Sequence, residues 1–522
     1  MEESWEKIQN AFGTWFRLLL FTFFVWYLRY HWTRRHLYRA AWKRPGPFPL
    51  PFIGSALYFV GSTSDILYNM LSLMKLYKSP VPVWISSKLF FVITEAKDFE
   101  IVMNSPYALQ KGEWYKFIKP LIGEGLFTAD VPKWKIRRKS IMPTFNQKIL
   151  DSFVPVFVEQ SNILIERLEK EVGEKEFDIF FYMSRCTLDI FCETAMGTTI
   201  NAQISDSDYV KWVNRAFEIV YKRMLNIWYH SDFIFNMTSY SKELKYVIER
   251  MRNFTENVSH FYSLGENRIT EKRWKCFDLC RNIVFEIENF FMADPAKRKT
   301  FLELLFELSE DGEKFTIEEL RDEVTTFMIA GSDTTASVNS FTFIMLGMHP
   351  DIQEKVFQEV MVVVGPDRSI RHDDLNKLTY LDRVIRETMR LFPVGPSLVR
   401  DVSRNIQLEE CTIPAGSSVV MFIIAMHWNS SVYSDPFKFN PDRFLSDEIA
   451  KRHSYSWLPF SGGSRNCVGV RYAFMAMKAL IATVVRKYKF SCEHEKVEDI
   501  RLKVDLVLKP VNGYRVSLEL RN

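Results

Sequence analysis

Cysteine is scarce in this 522-residue sequence. Its seven residues are odd in number and follow no repeating interval, which excludes a disulfide framework and points to a reduced, cytosol-facing protein. A strong charge of one sign is lacking too: a net charge of +4 and a pI near 8.5 are too small a bias to argue for nucleic acid. Glycine (20) and proline (21) stand at ordinary levels, so collagen-like and low-complexity classes fall away. There is no evident internal repeat, and no glycine-rich dinucleotide fingerprint follows a strand pattern. Apolar material is plentiful. With 47% hydrophobic and 25% charged residues the chain can fill a large core, which rules out wholesale disorder.

Residues Leu18 to Leu28 form an apolar run, LLLFTFFVWYL, which reaches back to Ala11 over 18 positions if Arg17 is tolerated. A spanning helix needs about 20 apolar residues, and an arginine in its N-terminal half can snorkel to the nearer headgroups. Glu2, Glu3 and Glu6 precede the run, whereas Arg29, Arg34, Arg35, Arg39, Lys43 and Arg44 follow it. By the positive-inside rule the bulk of the protein stays cytosolic. A cleaved signal peptide and an interfacial helix are the alternatives. The acidic start and the missing small-residue cleavage site argue against cleavage, and the acidic start argues against a mitochondrial transit peptide. We therefore expect a transmembrane anchor over 1–29, a basic and proline-rich hinge over 30–51, and one catalytic body over 52–522. The sequons at Asn236, Asn253, Asn257 and Asn429 are expected to stay unglycosylated.

Most of the body has helical periodicity, which predicts a mainly α fold with a smaller β-rich portion. Thr316 and Glu319 form a capping box ahead of an apolar pattern that ends at His349-Pro350. The predicted helix, Thr316 to Met348, would be about 48 Å long at 1.5 Å per residue. Later in the chain, Ser417–Ile424 reads as β, and a hairpin is expected between Val504–Leu508 and Tyr514–Leu520 around Asn512-Gly513.

One cysteine has a distinctive setting. In Pro459-Phe460-Ser461-Gly462-Gly463-Ser464-Arg465-Asn466-Cys467-Val468-Gly469, glycines permit a tight backbone whose amides approach the sulfur. An amphipathic helix follows, with Ala473, Met477, Leu480 and Val484 on one stripe, so Cys467 precedes a helix N-terminus that favours a thiolate. A single thiolate held by amides suits an axial ligand to haem iron. Zinc is disfavoured, since no second Cys or His lies at ligand spacing. A buried structural cysteine is the plain alternative; Cys276 and Cys280, at i,i+4, are read as inert.

The Phe460-x-x-Gly463-x-Arg465-x-Cys467-x-Gly469 pattern resembles the haem-binding motif of the cytochrome P-450 superfamily, the haem-thiolate monooxygenases. Four further motifs extend the resemblance over almost the whole chain in the family's order: Trp134-x-x-x-Arg138, Ala330-Gly331-Ser332-Asp333-Thr334-Thr335, Glu387-x-x-Arg390, and Pro441-Asp442-Arg443-Phe444. The resemblance implies the P-450 fold, with its long central helix over haem b and Cys467 as the axial ligand. It also implies a buried triad of Glu387, Arg390 and Arg443, and propionate contacts from Trp134, Arg138, Arg400 and Arg465. Asp333 and Thr334 would deliver the two protons that cleavage of dioxygen requires, with room for oxygen left by Gly331. Phe327, Ala330, Val394, Leu398 and Val511 fall at substrate-facing positions. Phe217 to Phe235, rich in aromatics, reads equally as a membrane-dipping access region or as helix packing.

Lys111–Tyr115, Glu124–Phe127, Pro143–Phe145 and Leu375–Leu381 are similar to the microsomal fatty-acid ω-hydroxylase family and its insect relatives. Many of those enzymes have, where Ala330 stands, a glutamate that bonds covalently to the haem; alanine cannot. The expected reaction is thus insertion of one oxygen atom from dioxygen into an apolar substrate, a fatty acid, hormone-like lipid or xenobiotic, without a commitment to the terminal carbon. Electrons would come from NADPH through the membrane NADPH–cytochrome P-450 reductase, with cytochrome b5 as a further donor. The basic cluster Lys133, Lys135, Arg137, Arg138 and Lys139 reads either as a docking face for such a partner or as a solvated helix face. The resemblance places the protein in the endoplasmic reticulum membrane. The rival function is an isomerase or dehydratase of lipid hydroperoxides that needs no external electrons, against which the Asp333-Thr334 pair argues.

Overall fold

The apolar run lies inside one helix, α1 (Glu2–Thr33), of the computed structural model, which describes residues 2–205, 207–263, 300–301, 303–304 and 315–521. Within α1, Ala11–Thr33 is long and apolar enough to cross a bilayer. Phe12, Trp15, Phe21 and Trp26 all face outward from it, a surface that water does not favour. The anchor boundary expected at residue 29 falls inside this helix. A second helix, α2 (Arg35–Trp42), follows at once and buries Leu37 and Ala41, while Tyr38 stacks on Trp84 at 5.0 Å. Of the expected hinge over 30–51, the basic half is therefore helix packed on the body, and the proline-rich half carries no helix.

The body contains α3 (Thr63–Leu76), β1 (Val81–Ile85), β2 (Lys88–Ile93), α4 (Val131–Ile141), α5 (Val154–Leu168), β3 (Phe177–Asp178), α6 (Phe180–Met196) and α7 (Tyr209–Leu225). It continues with α8 (Ile317–Met348), α9 (Thr379–Leu391), β4 (Leu398–Asp401), β5 (Ser418–Met421), α10 (Val470–Lys487), β6 (Tyr488–Ser491), β7 (Leu502–Asp505), β8 (Val507–Pro510) and β9 (Arg515–Leu520), among other elements. The mainly helical class expected from periodicity holds. The Cys276 and Cys280 reading lies outside the described residues.

Helix α8 is the axis of the core. Thr316 Oγ1 accepts from the Glu319 amide at 3.2 Å, and the Glu319 carboxylate accepts from the Thr316 amide at 3.1 Å, so the capping box closes both ways. Phe341, Phe343, Ile344 and Leu346 are wholly buried, which places the C-terminal half of the helix inside the protein on every side. Several of its hydroxyls are satisfied within the helix: Ser332, Ser337, Ser340 and Thr342 each donate to the carbonyl four residues back, at 2.6–2.9 Å.

The four-stranded sheet runs β1-β2-β5-β4, with β2 and β5 parallel (Phe91 opposite Val419) and the outer pairs antiparallel. The Ser417–Ile424 expectation resolves into strand β5 and then a short helix, Ile423–His427. The expected C-terminal hairpin does not form. Leu506, at φ +67°, turns the chain inside the presumed first strand, so β7 pairs with β8, while β9 pairs with β6 and β3. Asn512-Gly513 is a turn that redirects the chain between sheets.

Gly331 lies against a neighbouring helix. A Cβ at this position would stand 2.7 Å from the Phe191 ring of α6, so the glycine permits close approach of α6 to α8 and does not line the large cavity described below. Gly331→Ala should destabilise the fold by about 1–3 kcal/mol through overpacking, measurable as a lowered denaturant midpoint; unchanged stability would contradict the packing role.

Candidate active site

The cysteine loop is held by backbone geometry that its sequence permits. Gly463 has φ +65°, and a Cβ there would stand 2.2 Å from the Met103 carbonyl oxygen, so no other residue fits without backbone movement. The Cys467 amide donates to the Phe460 carbonyl at 2.9 Å, closing the loop, and the Ala473 amide donates to the Gly469 carbonyl at 2.8 Å as α10 begins. Gly469 itself has an ordinary φ of −92°, and a Cβ there would be 4.0 Å from Cys467 Sγ, so protein atoms alone do not demand glycine. The Cys467 side chain is open to solvent yet closely surrounded by protein atoms. Burial pushes its thiol up, against the Gly469 amide and the Arg138 guanidinium, which both favour the thiolate.

Behind the loop lies a fully desolvated ion cluster. Arg390 clasps Glu387 with two bonds, Nε to Oε2 at 2.7 Å and Nη2 to Oε1 at 2.8 Å. Arg443 Nε lies 3.3 Å from Glu387 Oε1, its Nη2 donating to the carbonyls of Ser434 and Asp435. The Asn440 amide donates to the same carboxylate at 3.0 Å. His427, which sequence reasoning missed, carries this cluster to the cysteine loop. Its Nδ1 bonds the Arg390 carbonyl, and its Nε2 accepts from the Leu458 amide, each at 3.1 Å. Burial, then the Arg390 charge, depresses its pKa to about 3, so the ring stays neutral with one donor and one acceptor. The only available signal was a polar residue inside the apolar run Ile423–Trp428.

Four cations converge nearby: Lys111, Arg138, Arg400 and Arg465. None of them makes an ion pair with a carboxylate among the described residues. Arg138 donates to Asn466, Arg465 lies over the Trp134 ring at 4.3 Å, and Arg465 Nε and Nη1 are buried without a partner. Lys111 is buried over the ring of Phe127 at 3.2 Å. Burial, reinforced by Arg400 and Arg465, lowers its pKa; burial and then Arg400 bring Arg465 down to about 10. An anion brought among these groups would offset the cost of desolvating their charges.

A cavity of about 290 Å³ opens beside α8, walled by aromatic and aliphatic side chains from Ile66 to Val507. Its one charged lining residue, among those described, is Asp333, next to Thr334. Thr334 Oγ1 donates to the Ala330 carbonyl at 2.6 Å. Asp333 is buried, with Oδ2 unpaired.

The family model described as Cytochrome P450 matches residues 44–517. The chain belongs to the cytochrome P450 family. It is 35% identical over 514 residues to cytochrome P450 4c3 of Drosophila melanogaster, covering 97% of this chain and 94% of that one. It is 34% identical to cytochrome P450 4V2 of Rattus norvegicus (93% and 92%) and 34% identical to cytochrome P450 4c21 of Blattella germanica (92% and 94%). These relatives bear out the likeness to the fatty-acid ω-hydroxylase family and its insect relatives. The protein is accordingly a haem-thiolate monooxygenase that works with redox partners on apolar substrates.

Haem fits the residues present. A dianion bearing two carboxylates answers the four converging cations and the unpaired Arg465 donors. The thiol at the foot of a helix answers the iron. In this P450, Cys467 would ligate the metal, while Arg138, Arg400, Arg465 and Lys111, a residue that sequence reasoning had not singled out for this task, would hold the carboxylates.

The remaining expectations divide. Ala330, Asp333, Thr334, Val394 and Leu398 line the cavity. Phe327 does not: it is buried against Phe301 at 4.7 Å and Phe145 at 5.9 Å. Val511 does not either, since it lies exposed in the turn after β8; Leu506 and Val507 take that wall. Phe460 contributes its carbonyl to the loop and its ring packs on Phe474 at 5.6 Å. Arg390→Ala would leave Glu387 buried without its principal partner, at about 3–5 kcal/mol, and should give misfolded protein without haem; normal haem content would contradict the bracing role.

Proposed function

We propose that this P450 inserts one atom of dioxygen into a neutral or amphipathic lipid-like substrate, taking electrons from NADPH through a membrane-bound reductase. The observation that carries the reading is the apolar cavity whose one charged wall residue, among those described, is Asp333 beside Thr334. Bound haem, of the b type, supplies the activation of dioxygen. The chain's own residues do the rest. Apolar walls desolvate and orient the substrate. Asp333 exchanges protons between the interior and the cavity. Thr334, anchored on the Ala330 carbonyl, presents its hydroxyl oxygen as an acceptor that steadies water on that path. Ala330 has no carboxylate to bond covalently to the haem, so strict attack on a terminal carbon is not part of the proposal.

The membrane setting supports a partner embedded in the same bilayer: α1 serves as the anchor, and the basic residues after it favour a cytosolic body at the endoplasmic reticulum. Of the basic cluster on α4, Arg137 is buried in an ion pair with Glu323 at 2.9 Å and Lys133 is paired with Glu319 at 2.8 Å. Arg138 is turned toward Asn466, while Lys135 and Lys139 are exposed and make no ion pair among the described residues. These two are the proposed contacts for an acidic reductase, with cytochrome b5 as a second donor to the same face.

The carbon monoxide difference spectrum of the dithionite-reduced, detergent-solubilised protein should show a strongly red-shifted Soret band, and Cys467→Ala should abolish it. A band typical of histidine-ligated haem in folded protein would refute thiolate ligation. Reconstituted with reductase, the protein should oxidise long-chain lipids only when NADPH is present; turnover of lipid hydroperoxides without NADPH would favour the isomerase reading. Charge reversal at Lys135 and Lys139 should weaken reductase-supported turnover at low salt, with the difference shrinking as salt rises. No change at low salt would remove that face from the proposal.

A further inference from the structure

Asp333 has a partner outside the cavity. Lys509, on β8, is buried, and its Nζ lies 3.6 Å from Asp333 Oδ1. The same ammonium donates to Asn214 Oδ1 on α7 and faces the Phe180 ring at 5.0 Å. The other acid acting on Lys509 is Asp178 on β3, but its carboxylate already accepts from the Phe180 and Tyr514 amides, at 3.0 and 3.2 Å. Asp333 is therefore the carboxylate that Lys509 neutralises, and its second oxygen is left buried and unpaired.

Helix α7 joins this arrangement to the substrate space. Asn214 tethers the lysine, and Phe217, Tyr221 and Met224 on the same helix line the cavity, whereas Lys509 does not. Any movement of α7 over a bound substrate is passed to the ammonium, and from it to the acid. The geometry points to Lys509 as a positioning residue for Asp333, one that couples the orientation of the acid to occupancy of the cavity through Asn214. A carboxylate held by one oxygen can turn about its final torsion and exchange the ammonium for the cavity without leaving its site. Lys509 thus keeps Asp333 parked until α7 settles on substrate. This rests on the proposed proton-delivery role of Asp333.

The test uses the full-length protein carrying haem, with Lys509→Met, Lys509→Arg, Asn214→Leu, Asp333→Asn and the Asp333→Asn/Lys509→Met double variant. Lys509→Met should lower kcat at least tenfold with KM within about twofold, raise the solvent deuterium isotope effect, and divert NADPH electrons to hydrogen peroxide. Lys509→Arg should restore most of the loss, and Asn214→Leu should give a smaller loss of the same kind. Independently of turnover, each charge-removing single variant should lower Tm, and the double variant should recover at least half of the summed loss. Additive Tm losses, or Lys509→Met with kcat and isotope effect unchanged, would overturn the positioning role. If Asp333→Asn retains full turnover, the reading of Asp333 itself fails; if it loses turnover while Lys509→Met does not, only the coupling fails. Should Lys509→Met not fold, Lys509→Arg and the double variant decide the matter, because a merely structural cation has no reason to move the isotope effect.

Discussion

The Glu387 carboxylate is the point on which the site depends. It lies where no water reaches and accepts from Arg390 and from the Asn440 amide, with Arg443 closing the ion pair. Neither charge could stay buried alone, so the segments that bring them are fixed relative to one another. The Arg390 carbonyl then meets His427, and His427 meets the Leu458 amide. The cysteine loop begins at the next residue, Pro459. A rigid thiol position is thus set by desolvated electrostatics more than 75 residues back in the chain and transmitted through one neutral imidazole.

Charge and apolar surface are kept strictly apart around the cleft. Cations gather on the side of Arg400 and Arg465, and the cavity beside α8 is almost free of charge. The separation has a physical logic. A dianionic cofactor edge needs cations that share it, whereas substrate binding relies on removing apolar area from water at roughly 25 cal/mol per Å². Placing a cation in the cavity would add a desolvation penalty to every substrate that could not answer it.

What was legible in the sequence follows from the range of the interactions involved. The helix α8 was readable because its cap and its stop are local, Thr316 with Glu319 and His349 with Pro350. The cysteine loop was readable because eleven adjacent residues specify it. The C-terminal hairpin was misread because Asn512-Gly513 is a strong local turn signal, whereas pairing of β9 with β6 and β3 is decided by partners far along the chain. The motif around Gly331 suggests room for oxygen, whereas its close approach to Phe191 on a neighbouring helix is a tertiary contact that no local pattern announces. His427, Lys111 and Lys509 carry no motif; each is defined by what stands opposite it in space.

The parallel pairing of β2 with β5 has a consequence for how the chain is made. These strands are separated by roughly 330 residues, and at translation rates of about 5–20 residues per second the second arrives some 15–65 s after the first. Through that interval the β1–β2 ribbon has an open edge of Phe90, Phe91 and Val92, and the apolar helix α1, long enough to cross a bilayer, has emerged before it. The nascent protein therefore spends most of its synthesis as a half-finished sheet, whose unpaired edge has to be kept from other chains until its partner strand is made.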